Sequence, residues 1–142
     1  MFFSIFPSLL SYGFGSYFLV PALLRITVAL VFFYLVIRHF KQKREVASEL
    51  EQKFKWVSHE VSVWLVGLLI LTEFTVGALL FVGAFTQIAA ILAALGFAKM
   101  AFFHRSLPGY APLSRLTCIL LIVICISLLL SGAGAFAFDL PL

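Results

Sequence analysis

The sequence predicts an all-α integral membrane protein: a four-helix bundle with an amphipathic interfacial helix between spans one and two. Three observations predict it. Apolar residues make up 63% of the 142-residue chain and charged residues only 11%, whereas a soluble domain carries about a quarter. The apolar residues gather in four runs, each close to the roughly 20 residues that cross a hydrocarbon core of about 30 Å. Two polar connections and one short uncharged turn separate the runs. This composition excludes an ordinary water-soluble globule, a disordered chain and a basic nucleic-acid-binding domain. The chain is read as one membrane domain, residues 1–142.

The first twenty residues are apolar and aromatic, with no charge and with Pro7, Gly13 and Gly15 among them. A secretory signal needs a basic n-region, which this stretch lacks. It is read as an arm or short helix at the membrane surface. Pro21 then suits the first turn of a helix, where a missing N–H costs nothing. The first span covers about 18–38. From Lys41 to His59 the chain is polar, but Val46, Leu50, Phe54 and Val57 recur at helical spacing. One apolar face with charge opposite predicts an amphipathic helix at the interface, partly continuous with the next span. The second span covers about 61–82, uncharged apart from Glu73. Gly83 to Thr86 make a tight turn, and the third span runs over about 87–104 with Lys99 near its end. HRSLPGYAPLSR, with two prolines and a glycine, cannot continue a helix. The fourth span covers about 116–136.

Four spans put both termini on one side and the connections 39–60 and 105–115 on the other. Arg38, Lys41, Lys43, Arg44, Lys53, Lys55, Arg105 and Arg115 belong to those connections or their edges. The positive-inside rule therefore places the connections in the cytoplasm and both termini outside it.

The informative residues are the ionisable ones at membrane depth, which are expensive there and face the protein interior or a wet cavity. Arg25, Glu73 and Asp139 are all expected in the outer half of the bundle, as a ligand or proton pathway. An Arg25–Glu73 pair would neutralise both charges. Asp139 would cap the outer opening or pair with Arg25 instead. The competing structural reading is an ion pair that only fixes helix register. Lys99 is explained by snorkelling to the nearby interface. His39, His59 and His104 fall near one boundary, but no HExxH or HxxxH spacing supports a metal or haem site, and none is expected. Cys118 and Cys125 share one helical face about 10 Å apart along its axis, which excludes an intrahelical disulfide. They read as small hydrophobes. Gly77, Gly83, Gly132 and Gly134 read as structural glycines, and Ala89, Ala90, Ala93, Ala94 and Ala98 as a small face for close helix packing. Ser131-Gly132-Ala133-Gly134, level with Arg25 and Asp139, suggests an outward-facing pocket.

Three segments carry a family resemblance: LLRITVALVFFY at residues 23–34, EFTVGALLFVGAFTQIAAIL at 73–92 and SGAGAFAFD at 131–139. Their order and spacing resemble the DoxX-like family of small four-helix membrane proteins. By position the match picks out Arg25, Glu73, Gly77, Gly83, Thr86, Gln87, Gly132, Gly134 and Asp139. Ala29 and Ala137 stand where the family pattern has glycine and serine. The resemblance implies a prokaryotic inner-membrane protein, a subunit of a redox or oxidative-stress complex associated with a quinone. Arg25, Glu73 and Asp139 would then meet the headgroup, with Phe32, Phe33 and Phe81 flanking the ring. No Rossmann fingerprint, haem CxxCH or iron–sulfur cysteine set is present. The chain is thus expected to be an accessory subunit of a quinone-linked oxidoreductase rather than a catalyst alone, with no covalently bound cofactor. The expected partners are membrane lipid, a soluble or membrane redox partner through residues 41–60, and further copies of the chain in a homo-oligomer. The alternatives are a component of a small-solute transporter or channel and a non-catalytic assembly protein.

Overall fold

A computed structural model describes residues 15–131, and all regular structure among them is helical. Five helices follow in order: α1 (Gly15–Lys41), α2 (Lys43–Lys53), α3 (His59–Val82), α4 (Thr86–Phe103) and α5 (Arg115–Ser131). By length and composition three stretches can cross a membrane: Val20–Lys41, His59–Val82 and Thr86–Phe103. Arg115–Leu130 is a shorter apolar helix. The protein is therefore a multi-pass membrane helical bundle. Large apolar side chains such as Leu30, Leu68, Leu95, Phe102, Leu120 and Val123 lie exposed around it. Water would not tolerate such a coat, and lipid does.

α1 is longer than the sequence reading allowed. It begins at Gly15, ahead of the expected start near residue 18, so that Pro21 lies well inside the helix, and it continues through His39 to Lys41. Pro21 therefore removes one backbone hydrogen bond in a helix interior rather than sitting harmlessly in the first turn. The extension at the far end matters more, because it makes His39 a helix residue facing the core.

α2 buries Val46 and Ala47 and leaves Arg44, Glu45 and Ser48 exposed. The amphipathic helix is thus present, but it is shorter than its pattern. It closes at Phe54, whose N–H donates to the Leu50 carbonyl at 2.8 Å, and a turn precedes His59. α2 and α3 are therefore separate helices rather than partly continuous. Lys53 Nζ lies 4.9 Å from the centroid of the Phe103 ring and ties the end of α2 to the end of α4.

The bundle is made of two close pairs, α1 with α3 and α4 with α5, and α2 lies along α3. In lipid no hydrophobic effect drives helices together, so close pairs need small residues that let backbones approach. Gly77 supplies this for α1 and α3: a Cβ there would come 3.1 Å from Phe32 Cβ and 3.6 Å from the Ala29 carbonyl oxygen. Ala89, Ala90 and Ala93 supply it on α4, where all three are fully buried. α5 answers with Cys118, Leu121, Cys125 and Leu128, one helical stripe facing the core. Gly83 ends α3 at φ 78°, and Gly83 and Ala84 both donate to the Leu79 carbonyl. This glycine cap closes the helix on the Leu79 carbonyl.

Candidate functional site: a buried histidine–carboxyl pair beside a lipid-facing cleft

Contacts between the two close pairs are sparser, and a cleft of about 620 Å³ opens between α3 and α4. Its walls are apolar, with Val76 on α3, Leu92, Leu95 and Gly96 on α4, and Phe32 and Leu35 of α1 behind them. The polar residues of its lining are Thr72, Glu73, Thr75, Lys99 and Tyr110. A second hollow of about 330 Å³ shares Leu69, Thr72, Lys99 and Tyr110 with the first and reaches Leu50 and Phe54 beside α2. The two form one furrow along α3 and α4, with Lys99 at the junction.

Among the described residues Glu73 is the one acidic residue in this furrow, and its partner is His39. Nδ1 of His39 lies 2.8 Å from Oε2 of Glu73, and Nε2 lies 3.0 Å from the Tyr110 carbonyl oxygen. His39 is fully buried and Glu73 is 5% exposed. Helix direction explains the meeting. Side chains lean toward the N-terminus of their own helix. α1 and α3 run antiparallel, so His39 leans back into the bundle while Glu73 leans toward the end that carries the polar connections.

The donor count fixes the hydrogens of the pair. The Tyr110 carbonyl can only accept, so His39 Nε2 carries a hydrogen. A second hydrogen lies between Nδ1 and Oε2, whichever atom holds it covalently. The pair thus carries two hydrogens and no net charge, either as acid and imidazole or as carboxylate and imidazolium. Such a group can sit in a low-dielectric interior, where a lone carboxylate could not.

The Tyr110 backbone is held by its own surroundings. Residues 104–114 fold back onto the bundle and bury Leu107, Tyr110 and Ala111. The Tyr110 ring stacks on His39 with centroids 6.1 Å apart and an interplanar angle of 14°. The Gly109 N–H donates to both carboxylate oxygens of Glu49 on α2, each at 3.0 Å. His104 Nδ1 donates to the Ala111 carbonyl at 3.2 Å. Burial, with a smaller contribution from the negative charge of Glu73, pushes the Tyr110 phenol up to about 12.

The stretch from Val20 to Ser106, containing Arg25, His39, Glu73 and Lys99, matches the family model described as DoxX over residues 20–106. The chain belongs to the DoxX family. No curated protein and no solved structure gives a significant match to it. In this DoxX-family chain the match stops before Tyr110, so the residue that closes the His39 network lies beyond it.

The sequence-derived site residues divide as follows. Glu73 lines the cleft, but its carboxyl meets His39 and not Arg25. Arg25 is buried; it lies fourteen residues from His39 on α1, about 21 Å along the axis. Nor does Glu73 project away from the polar connections, because its carboxyl meets a histidine at the polar-connection end of α1. Asp139, Gly132 and Gly134, and with them the pocket expected around residues 131–139, lie outside the described residues. Phe32 lines the cleft and packs on Phe97 at 5.0 Å. Phe33 and Phe81 contact each other at 6.1 Å outside its lining. The three histidines do not converge: His39 meets Glu73, His59 meets Glu51 at 2.5 Å and His104 meets Ala111. Sequence reasoning passed over His39 as an interfacial residue, Lys99 as a snorkelling one and Tyr110 altogether. The apolar residues around His39, FYLVIRHF, were the available signal that its helix continues.

Proposed function

We propose that this DoxX-family protein is the membrane subunit of a redox or oxidative-stress assembly and that the α3–α4 cleft receives the headgroup of a membrane quinone. One observation carries the reading: a neutral two-hydrogen pair, His39 and Glu73, stands beside a cleft that opens sideways to lipid. A lipid-soluble ligand could enter it without leaving the membrane. The volume is in the range of about 300–1,000 Å³ that small-molecule sites occupy. The apolar walls suit a ring and the start of an isoprenoid tail. Lys99 Nζ can donate to a carbonyl oxygen, and Glu73 can hold or release a proton beside it. Thr72 donates to the Leu69 carbonyl within its own helix, so its oxygen is left only to accept.

A bound quinone would supply two-electron chemistry. The residues of this chain would bind it, orient it and handle a proton, and a partner subunit would supply or take the electrons. Family membership favours a prokaryotic inner membrane, and the basic connections favour both termini outside the cytoplasm. They also leave the exposed face of α2 toward a cytoplasmic partner.

The test is purification from membranes in a mild detergent, with extracted small molecules identified by mass spectrometry. Glu73→Gln and Lys99→Leu are run beside the parent. Quinone bound to the parent and depleted in both folded variants is the expected result. A parent free of quinone when prepared from quinone-containing membranes would overturn the reading.

A further inference from the structure

We infer that Glu49, half-buried on the amphipathic helix α2, is a positioning residue for the buried His39–Glu73 pair. The contacts form an unbroken series. The Glu49 carboxylate accepts from the Gly109 N–H through both oxygens at 3.0 Å. Gly109 precedes Tyr110, whose carbonyl accepts from His39 Nε2 at 3.0 Å. The other ring nitrogen of His39 meets Glu73 at 2.8 Å, and Glu73 lines the cleft.

Gly109 gives an independent sign that the first link is specific. A Cβ at this position would fall 2.9 Å from both carboxylate oxygens of Glu49. The carboxylate occupies the space a side chain would take. One charge-assisted N–H, shared between the two carboxylate oxygens, then holds the backbone at 109 more tightly than a neutral contact would. The Tyr110 carbonyl projects two peptide units further on, from a turn that is also held by the Ala111 N–H donating to the Leu107 carbonyl at 2.9 Å, so Glu49 anchors the near side of that turn.

The consequence is electronic as well as geometric. A neutral imidazole has two tautomers, and the one present is set by what each nitrogen faces. With the Tyr110 carbonyl in place, Nε2 must hold its hydrogen and Nδ1 is left to share one with Glu73. With the carbonyl withdrawn, the tautomer that donates from Nδ1 and leaves Nε2 bare becomes available. Reaching that state releases one proton from the pair to water at the polar connections, and Glu73 then holds its carboxylate form, hydrogen-bonded by Nδ1–H, without an imidazolium beside it. Glu49 therefore sets the hydrogen arrangement at the cleft from the opposite side of the loop, without touching either member of the pair. Displacement of Glu49 by a partner docked on α2 would be felt at Glu73.

The readout is nitrogen NMR of histidine-labelled protein in detergent, with His59→Gln and His104→Gln used to assign the His39 signals. The protein is ligand-free, so the outcome is separate from the quinone reading. In the parent, Nε2 of His39 gives a protonated signal. Glu49→Ala removes the acceptor, and Gly109→Ala pushes the carboxylate away by one methyl while keeping Glu49 in the chain. Both are expected to produce a bare Nε2 signal from a sizeable fraction of molecules. Glu49→Gln keeps an oxygen for the Gly109 N–H and is expected to resemble the parent. If Glu49→Ala does not fold, Gly109→Ala decides the question. A fully protonated Nε2 in folded Gly109→Ala overturns the inference, as does one in folded Glu49→Ala. So does a bare Nε2 in the parent.

Discussion

His39 and Glu73, thirty-four residues apart in the chain, meet at 2.8 Å with both side chains out of solvent. Removing one partner from such a pair leaves the other buried and unsatisfied, which costs about 3–5 kcal/mol in comparable pairs. His39→Ala is expected near the lower end of that range. Glu73→Gln keeps the shape and can still donate an amide hydrogen to Nδ1, so it is expected to cost about 1 kcal/mol. Unfolding in detergent, followed by helical circular dichroism, ranks the two. Equal losses would mean that the pair is not the interaction that matters.

Much of the bundle was legible because hydropathy and length depend on the chain alone. The second and third apolar runs sit close to α3 and α4, and the turn at Gly83 was marked by a glycine after a long apolar run. The partner of Glu73 was not legible. Choosing between Arg25 and His39 required knowing the vertical register of α1 against α3. That register is set by where Gly77 admits Phe32, which no residue pattern states. Tyr110 was hidden for a different reason. Its neighbours are polar and proline-rich, so the segment reads as a surface loop, yet Leu107, Tyr110 and Ala111 turn inward. The boundary of α2 was missed by a few residues because Phe54 and Val57 continue its apolar spacing after the helix has closed.

The register itself is testable at Gly77. An alanine there must gain a few tenths of an ångström against Phe32 Cβ, and larger side chains in a well-packed contact cost about 1–3 kcal/mol. Gly77→Ala is expected to be mild and Gly77→Leu to weaken the α1–α3 pair clearly. Gly83→Ala acts differently, through its φ of 78°, at about 1 kcal/mol. If Gly77→Leu unfolds no more readily than Gly77→Ala, the two helices do not cross closely at this point.

Tyr110 should ionise well above the ordinary tyrosine range. Its folded value of about 12 lies above the ordinary value of 10.0. The folded state therefore holds the phenol proton more tightly than the unfolded state does. The resulting stabilisation is fully present below pH about 10 and is lost as pH rises through about 12. Ultraviolet titration of the parent minus that of Tyr110→Phe isolates this group. Glu73→Gln should lower its value slightly, because the carboxyl is the smaller of the two causes and burial the larger. A Tyr110 that ionises at or below 10 in folded protein would place the side chain in water.

The cleft can be filled without disturbing the pair. Gly96 lines it, and a Cβ there would meet only the Phe32 ring edge at 3.7 and 3.9 Å, an ordinary contact. Gly96→Ala is therefore expected to leave stability and ligand content unchanged. Gly96→Phe adds an aromatic ring on the wall between α3 and α4, where it competes for the space a headgroup would use. Quinone recovered with purified Gly96→Phe should fall about tenfold or more, equivalent to about 1.4 kcal/mol of lost affinity. The Nε2 signal of His39 reports in the same samples that the buried pair is intact. Undiminished quinone in Gly96→Phe, with the pair intact, would move the ligand to another part of the bundle. Loss in Gly96→Ala as well would show that the cleft wall tolerates less than its spacing to Phe32 allows.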